Sequence, residues 1–438
     1  MDKVAPGKIK TVQLVALIFL TVSGGPYGLE PLVSYAGQHT AYLLLILTPI
    51  FWDLPSIATV LELNSMMPVT GGYYQWVKKA MGLRWAFYEG WWTWLYTFVD
   101  LAIYPVLFII YLGFFFPEIN TYKIPICLGI IWISTIINIL GIVPVGRISM
   151  VLSCVVLVPF LIMIFVILYH HNGGISLGET APITTSYSSL GMGLYTVMWN
   201  FIGWDNTTTY AEEVNKPIRT YLISVMTAFV LIFSIYFLTV LVSQLSGINP
   251  ELLKKEGYPA LGTLAAGKWL GGLIALGGMA SSLGLYSAVL LSVSRVPKVM
   301  ADDHLLPAKL HQLHPRFNTP YISIICCSLV VSVMVLWSFE DLLIIDVTLY
   351  GAALILEFIS LVIFRITAPD AQRPFKIPFG VIGLCVMLLL PICVYSIAVS
   401  AAFISTGRSI KPILFTCLCL LSAEILWWVV RKYKKTKE

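Results

Sequence analysis

The feature that most constrains this chain is its recurring apolar runs of about 20 residues, separated by short polar loops. A bilayer core roughly 30 Å thick selects helices of that length. Windows of this size place helices over 11–35, 41–64, 86–115, 124–143, 148–169, 190–211, 219–245, 269–294, 321–338, 344–366, 379–403 and 410–430. The expected fold class is an all-α polytopic membrane protein of about twelve spans, forming one transmembrane domain over 1–438. Composition excludes the alternative: 58% of the residues are apolar and 11% charged, against about 25% charged in a soluble domain. No polar stretch is long enough to be a linker or a second domain.

The net charge of +5 does not point to nucleic acid, because the basic residues fall in alternate loops. Of the 27 Lys and Arg residues, all but six (Lys123, Lys254, Lys255, Lys268, Arg408 and Lys411) lie on the side that carries both termini. This asymmetry places both ends in the cytoplasm, with the plasma membrane as the expected location. Lys8 and Lys10 precede a hydrophobic stretch with no small-residue cleavage site, so no cleaved signal is expected. The eight cysteines all sit inside hydrophobic runs, without metal-ligand or disulfide-framework spacing. His170-His171 opens a loop as a solvated pair, and Lys432 to Lys437 form a basic tail. A short surface helix is expected within the loop Pro297–Pro320.

Two spans are interrupted. The first contains Ser23-Gly24-Gly25-Pro26-Tyr27-Gly28, and the sixth contains Asn200-Phe201-Ile202-Gly203-Trp204-Asp205-Asn206. Lipid cannot satisfy the N–H and C=O groups of irregular backbone, so such breaks must face protein or a wet cavity. Breaks at matching positions of two five-helix halves are the sequence sign of an inverted-repeat transporter. The halves are expected at 11–169 and 190–366, with two additional helices at 379–430.

Further landmarks follow in order: Glu62, Pro68 and Gly71-Gly72-Tyr73; Glu89-Gly90-Trp91, Trp94, Asp100 and Tyr104-Pro105; Trp199-Asn200 and Trp204-Asp205; Glu213; Ser294-Arg295; Leu305-Leu306-Pro307; Leu356-Glu357-Phe358; and Arg373-Pro374-Phe375-Lys376-Ile377-Pro378. Together with Ser23–Glu30 they make the chain resemble the amino acid–polyamine–organocation (APC) superfamily, and within it the polyamine–proton symporter branch. The resemblance implies a five-plus-five inverted (LeuT-like) fold, with substrate held between the first, third, sixth, eighth and tenth helices. It also implies proton-coupled uptake or exchange of amino acids or polyamines. Some amino-acid carriers of the superfamily place a lysine in the fifth helix, but Met150–Leu168 contains none, so that device is not carried over.

The acids inside the spans are read as Glu30, Asp53, Glu62, Asp100, Asp205, Glu357 and Glu424, with no Lys or Arg at comparable depth. A charge near the bilayer centre costs at least ~2.5 kcal/mol, so such acids need a proton, a wet cavity or a foreign cation. A polyamine is that kind of cation, and desolvated carboxyls can also carry protons near neutral pH. Glu30 and Asp205 flank the breaks and are expected to approach one cavity. Asp100 and Glu357 lie deep in their helices, and Glu30, Asp205 and Glu357 are the proton-coupling candidates. Glu62 reads as a solvated or gate-forming acid, Asp53 as a local polar contact and Glu424 as a helix–helix contact.

Ser23, Gly24 and Gly25 could present backbone N–H groups to an anion, which argues for an amino acid instead. Tyr27, Trp94, Tyr104, Trp199, Phe201 and Trp204 are the aromatic candidates for an ammonium, with Trp204 and Tyr104 preferred. Ser281 and Ser282 could line an ion site or simply bond between helices. The expected partners are a polyamine or amino acid, protons and the lipid bilayer, with no cofactor and no metal. A membrane enzyme is disfavoured because no nucleophile–base pair or phosphate loop is visible. A non-transporting receptor would leave the paired breaks without a purpose.

Overall fold

The computed structural model describes residues 8–170, 186–337, 339–404 and 411–435. Lys3, His171, Arg408 and Lys437 of the sequence reading lie outside them. Among the described residues every regular element is helical, apart from one parallel bridge between Ile9 and Val214.

The chain opens with α1 (Thr11–Val22), which breaks and resumes as the short α2 (Leu32–Ala36). Next come α3 (Gln38–Thr48) and α4 (Leu54–Met66), joined through a π-helical turn at Pro49–Asp53. α5 (Gly72–Met81), α6 (Leu83–Leu112), α7 (Lys123–Ile139) and α8 (Ile142–His170) follow. α9 (Tyr187–Asn200) ends at the second break, and a 3₁₀ segment at Asn206–Glu213 leads to α10 (Pro217–Leu245). α11 (Pro250–Glu256) and α12 (Tyr258–Ala266) are short, before the long α13 (Lys268–Val293) and α14 (Arg295–Asp302). α15 (Tyr321–Met334), α16 (Phe339–Thr367), α17 (Val381–Ile404) and α18 (Lys411–Lys435) complete the chain.

Each apolar window of the sequence coincides with a helix. Among the described residues eight helical segments are long and apolar enough to cross a membrane, while Thr11–Val22, Lys123–Ile139 and Tyr321–Met334 are shorter apolar helices. α1 and α9 are short because the chain breaks where each would otherwise continue. The short helices α5, α11 and α12 were not foreseen, since none is long enough to give a hydropathy signal. A 3₁₀ turn at Ala308–His311, exposed except for Leu310, lies in the loop where a short surface helix is expected, while α14 begins before that loop and buries Val296, Pro297, Val299 and Met300.

The first break is built around close packing. Gly24 has φ +60°, and a Cβ there would stand 2.5 Å from Leu285 Cδ1 and Ser281 Oγ of α13. Only a residue without a Cβ permits both the left-handed backbone and that approach. The second break lies against the first: a Cβ on Gly203 (φ +97°) would lie 3.2 Å from the Thr21 carbonyl oxygen. Backbone bonds from Ile9 N–H to the Glu213 carbonyl (3.0 Å) and from Asn215 N–H to the Ile9 carbonyl (3.0 Å) tie the start of α1 to the end of the 3₁₀ segment.

Candidate functional site

α6 is the spine of the site. Its buried face carries Glu89, Thr93, Tyr96, Asp100, Tyr104 and Tyr111. Glu89, Asp100 and Tyr111 are eleven residues apart, about three turns at 3.6 residues each, so all three project from one side. They mark three levels about 16 Å apart along the helix axis.

At the middle level the two breaks face a small cavity of ≈ 10 Å³, room for about one water. Thr21, Val22 and Ser23 line it from the first break, and Trp199, Asn200, Ile202, Gly203 and Asn206 from the second. Tyr96, Asp100 and Tyr104 close it from α6, and Leu285 from α13. The Tyr104 hydroxyl donates to Asp100 Oδ2 at 2.6 Å, and the Trp199 indole bonds to the same carboxyl group. Asp346 of α16 lies within electrostatic range of Asp100, Tyr96 and Tyr104. It is fully buried, and among the described residues neither carboxylate oxygen has a hydrogen-bond partner.

The level nearer the start of α6 gathers Glu89, Asp205 and Glu357 from three separate elements, each within electrostatic range of the other two. Tyr350 organises it: its hydroxyl accepts from Gly203 N–H at 3.3 Å and donates to Asp205 Oδ1 at 2.9 Å. Thr93 donates to Glu89 Oε1 at 3.2 Å. Glu89 Oε2, Glu357 Oε2 and the Tyr73 hydroxyl have no hydrogen-bond partner among the described residues. Tyr96 stands between this level and the cavity, donating to Asn206 Oδ1 at 3.2 Å with its ring edge-on to Tyr350.

The level at the far end of α6 belongs to Glu30. Its Oε2 accepts from Gly28 N–H at 2.5 Å and its Oε1 from the Tyr111 hydroxyl at 2.9 Å. Tyr27 packs here edge-on to Tyr111 and Phe160, and its hydroxyl donates to the Ile274 carbonyl at 2.6 Å.

The sequence candidates therefore divide. Ser23, Asp100 and Tyr104 line the cavity, while Gly24 packs against Leu285 and Ser281 and Gly25 against Val156. Asp205 and Glu357 form one neighbouring group and Glu30 with Tyr27 another, so Glu30 and Asp205 do not share a cavity. Trp204 turns away, with its ring 5.9 Å from Phe229. Its Nε1 approaches the Asp53 carboxyl group without a hydrogen bond of normal geometry.

Two readings are corrected. The N–H groups of the first break are not free: those of Ser23 and Gly24 donate to the Phe19 carbonyl (2.9 and 2.8 Å), and that of Gly25 to Ser23 Oγ (3.0 Å). Glu62 is not solvated either. It is fully buried and held in a bidentate pair by Arg365 (2.6 and 2.7 Å). Arg373 Nε lies 3.2 Å from it, and Ile377 N–H donates at 2.8 Å. Burying this acid requires those partners, and they explain the Arg373–Pro378 landmark. Glu424 does join helices, pairing with Arg84 of α6 at 2.7 Å, while Ser282 only bonds back to the Gly278 carbonyl.

Glu89 and Asp346 were overlooked as intramembrane acids. Their signal was present: Asp346 and Glu357 are also eleven residues apart in α16, so the two helices carry matching acid pairs.

Buried carboxyl groups without ion-pair partners, gathered about two facing helix breaks, are the equipment of a solute pathway. Fold and site define a multi-pass integral membrane transporter. The chain belongs to the amino acid permease family, whose model matches residues 9–423. It is 31% identical over 443 residues to the polyamine transporter RMV1 of Arabidopsis thaliana, covering 96% of this chain and 87% of that one. It is also 31% identical over 401 residues to the polyamine transporter PUT1 of Oryza sativa subsp. japonica, covering 88% and 73%. The serine/threonine exchanger SteT of Bacillus subtilis (strain 168) is more distant, at 25% over 380 residues, covering 83% and 84%.

Proposed function

We propose that this transporter imports an organic cation, a polyamine such as putrescine or spermidine, coupled to protons by alternating access. The supporting observation is the set of five buried carboxyl groups, Glu89, Asp100, Asp205, Asp346 and Glu357, none of which forms an ion pair among the described residues. Uncompensated acids at such depth require protons or a cation brought from outside. The names of RMV1 and PUT1 agree with that reading. In this proposal the twelve spans form five-plus-five inverted repeats and two further helices, in the plasma membrane with both termini cytoplasmic. Asp100, Tyr104 and Ser23 meet the substrate, and Asp205 and Glu357 both contact it and carry the coupled proton, with Glu30 as a further proton site.

The test is uptake of labelled putrescine and spermidine into proteoliposomes under an inward proton gradient. Uptake should rise with the gradient and be lost in Asp205→Asn. Intact uptake in that variant would remove the role given to Asp205, and uptake indifferent to the gradient would remove proton coupling. The second reading is an amino-acid exchanger, favoured by the likeness to SteT. Competition by serine and threonine, without competition by polyamines, would establish it instead.

A further inference from the structure

α6 and α16 run side by side and carry acids at the same eleven-residue interval. Glu89 lies within electrostatic range of Glu357 and Asp100 within range of Asp346, so the helices are antiparallel and their acids fall at two levels, as two rungs. Asp205 joins the Glu89–Glu357 rung from the second break. Three turns of helix separate the rungs, about 16 Å along the axis. All five residues are at most 5% exposed.

A group of acids alone would not define a site, but a residue of another kind points into this one. Tyr73 is fully buried, its hydroxyl has no hydrogen-bond partner among the described residues, and it lies in electrostatic range of Glu89, Asp205 and Glu357 together. Glu89 Oε2, Glu357 Oε2 and both Asp346 oxygens add four more acceptor atoms without partners. Among the described residues no group of three acids, histidines or cysteines converges closely enough to hold a metal ion. Spread-out acceptors with a phenol beside them suit primary ammonium groups, each of which offers three N–H donors.

We infer that the two rungs form a length-reading site for linear polyammonium ions, with one terminal ammonium at Glu89–Asp205–Glu357 and another at Asp100–Asp346. This rests on the organic-cation reading above and deepens it. A short diamine reaches one rung fully; a long polyamine reaches both. Tyr96, in range of both Asp205 and Asp346, flanks the chain between the rungs. Glu89 and Asp346 thereby become specificity-determining residues.

The experiment measures competition for labelled-spermidine binding to purified protein by an α,ω-diamine series of increasing chain length, and by spermidine and spermine. The unaltered protein should prefer long amines over short ones. Glu89→Gln and Asp346→Asn should each weaken the longest amines about tenfold, the loss of one charge-assisted contact, and the short diamines less than threefold. Glu89→Asp, which keeps the charge, should retain most of the preference and controls for misfolding. Binding of amines without length preference, or equal weakening of all lengths in both variants, would overturn the two-rung site while leaving the organic-cation reading intact. Binding of no amine at all would overturn both.

Discussion

Replacing Arg365 with Gln should destabilise the protein by about 3 kcal/mol, at the lower end of the cost of orphaning a buried ion. The magnitude follows from the geometry. Glu62 is fully buried and accepts two short bonds, 2.6 and 2.7 Å, from the Arg365 guanidinium. Truncating one partner of a buried pair costs about 3–5 kcal/mol because the other charge is left uncompensated. Arg373 at 3.2 Å and the Ile377 N–H at 2.8 Å remain, and hold the loss near the lower bound. Glu62→Gln added to Arg365→Gln removes the stranded charge, so the double variant should recover at least ~1 kcal/mol relative to additivity. Arg365→Lys keeps the charge but loses the two-pronged geometry and should fall between. The assay is equilibrium unfolding in mixed detergent micelles, followed by tryptophan fluorescence. A single-variant loss below about 1 kcal/mol, or strict additivity in the cycle, would refute the view of this cluster as a buried staple joining α4, α16 and the 373–377 segment.

Gly24→Ala should cost about 2–4 kcal/mol, combining left-handed backbone strain with overpacking against Leu285 and Ser281. Gly380→Ala, whose added Cβ meets nothing within 4 Å, should leave the unfolding midpoint unchanged in the same micelle assay. Tyr111→Phe removes one bond to buried Glu30 and should lower stability by about 1–3 kcal/mol. It should leave the KM for substrate unchanged, because Glu30 stands three turns from Asp100 along α6; a raised KM in the uptake assay would put Glu30 in the substrate path.

Much of the site could be read in advance, but its grouping could not. Asp100 and Tyr104 were legible because residues four apart on a helix share a face, and their hydrogen bond is that spacing realised. The separation of Glu30 from Asp205 was not legible. Each lies beside a break, but Glu30 bonds Tyr111 and Asp205 bonds Tyr350, and only the packed bundle fixes which level each acid reaches. Glu62 looked solvated because its partners are more than 300 positions away in the chain. Trp204 and Trp199 are both aromatics of the sixth span, and the rotation of the last turn of α9 decided that Trp199 meets the cavity.

The sequence by itself determined that this chain lives in a bilayer, where it breaks, and that its spans carry acids, because hydropathy, glycine and charge act locally along the chain. The tertiary structure alone decided that the Ser23–Gly25 N–H groups are already bonded, that Glu62 is stapled, and that α6 and α16 run antiparallel with their acids in register. Those outcomes depend on which helices pack together and on their rotation and axial offset. Helix contacts between distant segments set these quantities, and no window of sequence contains them.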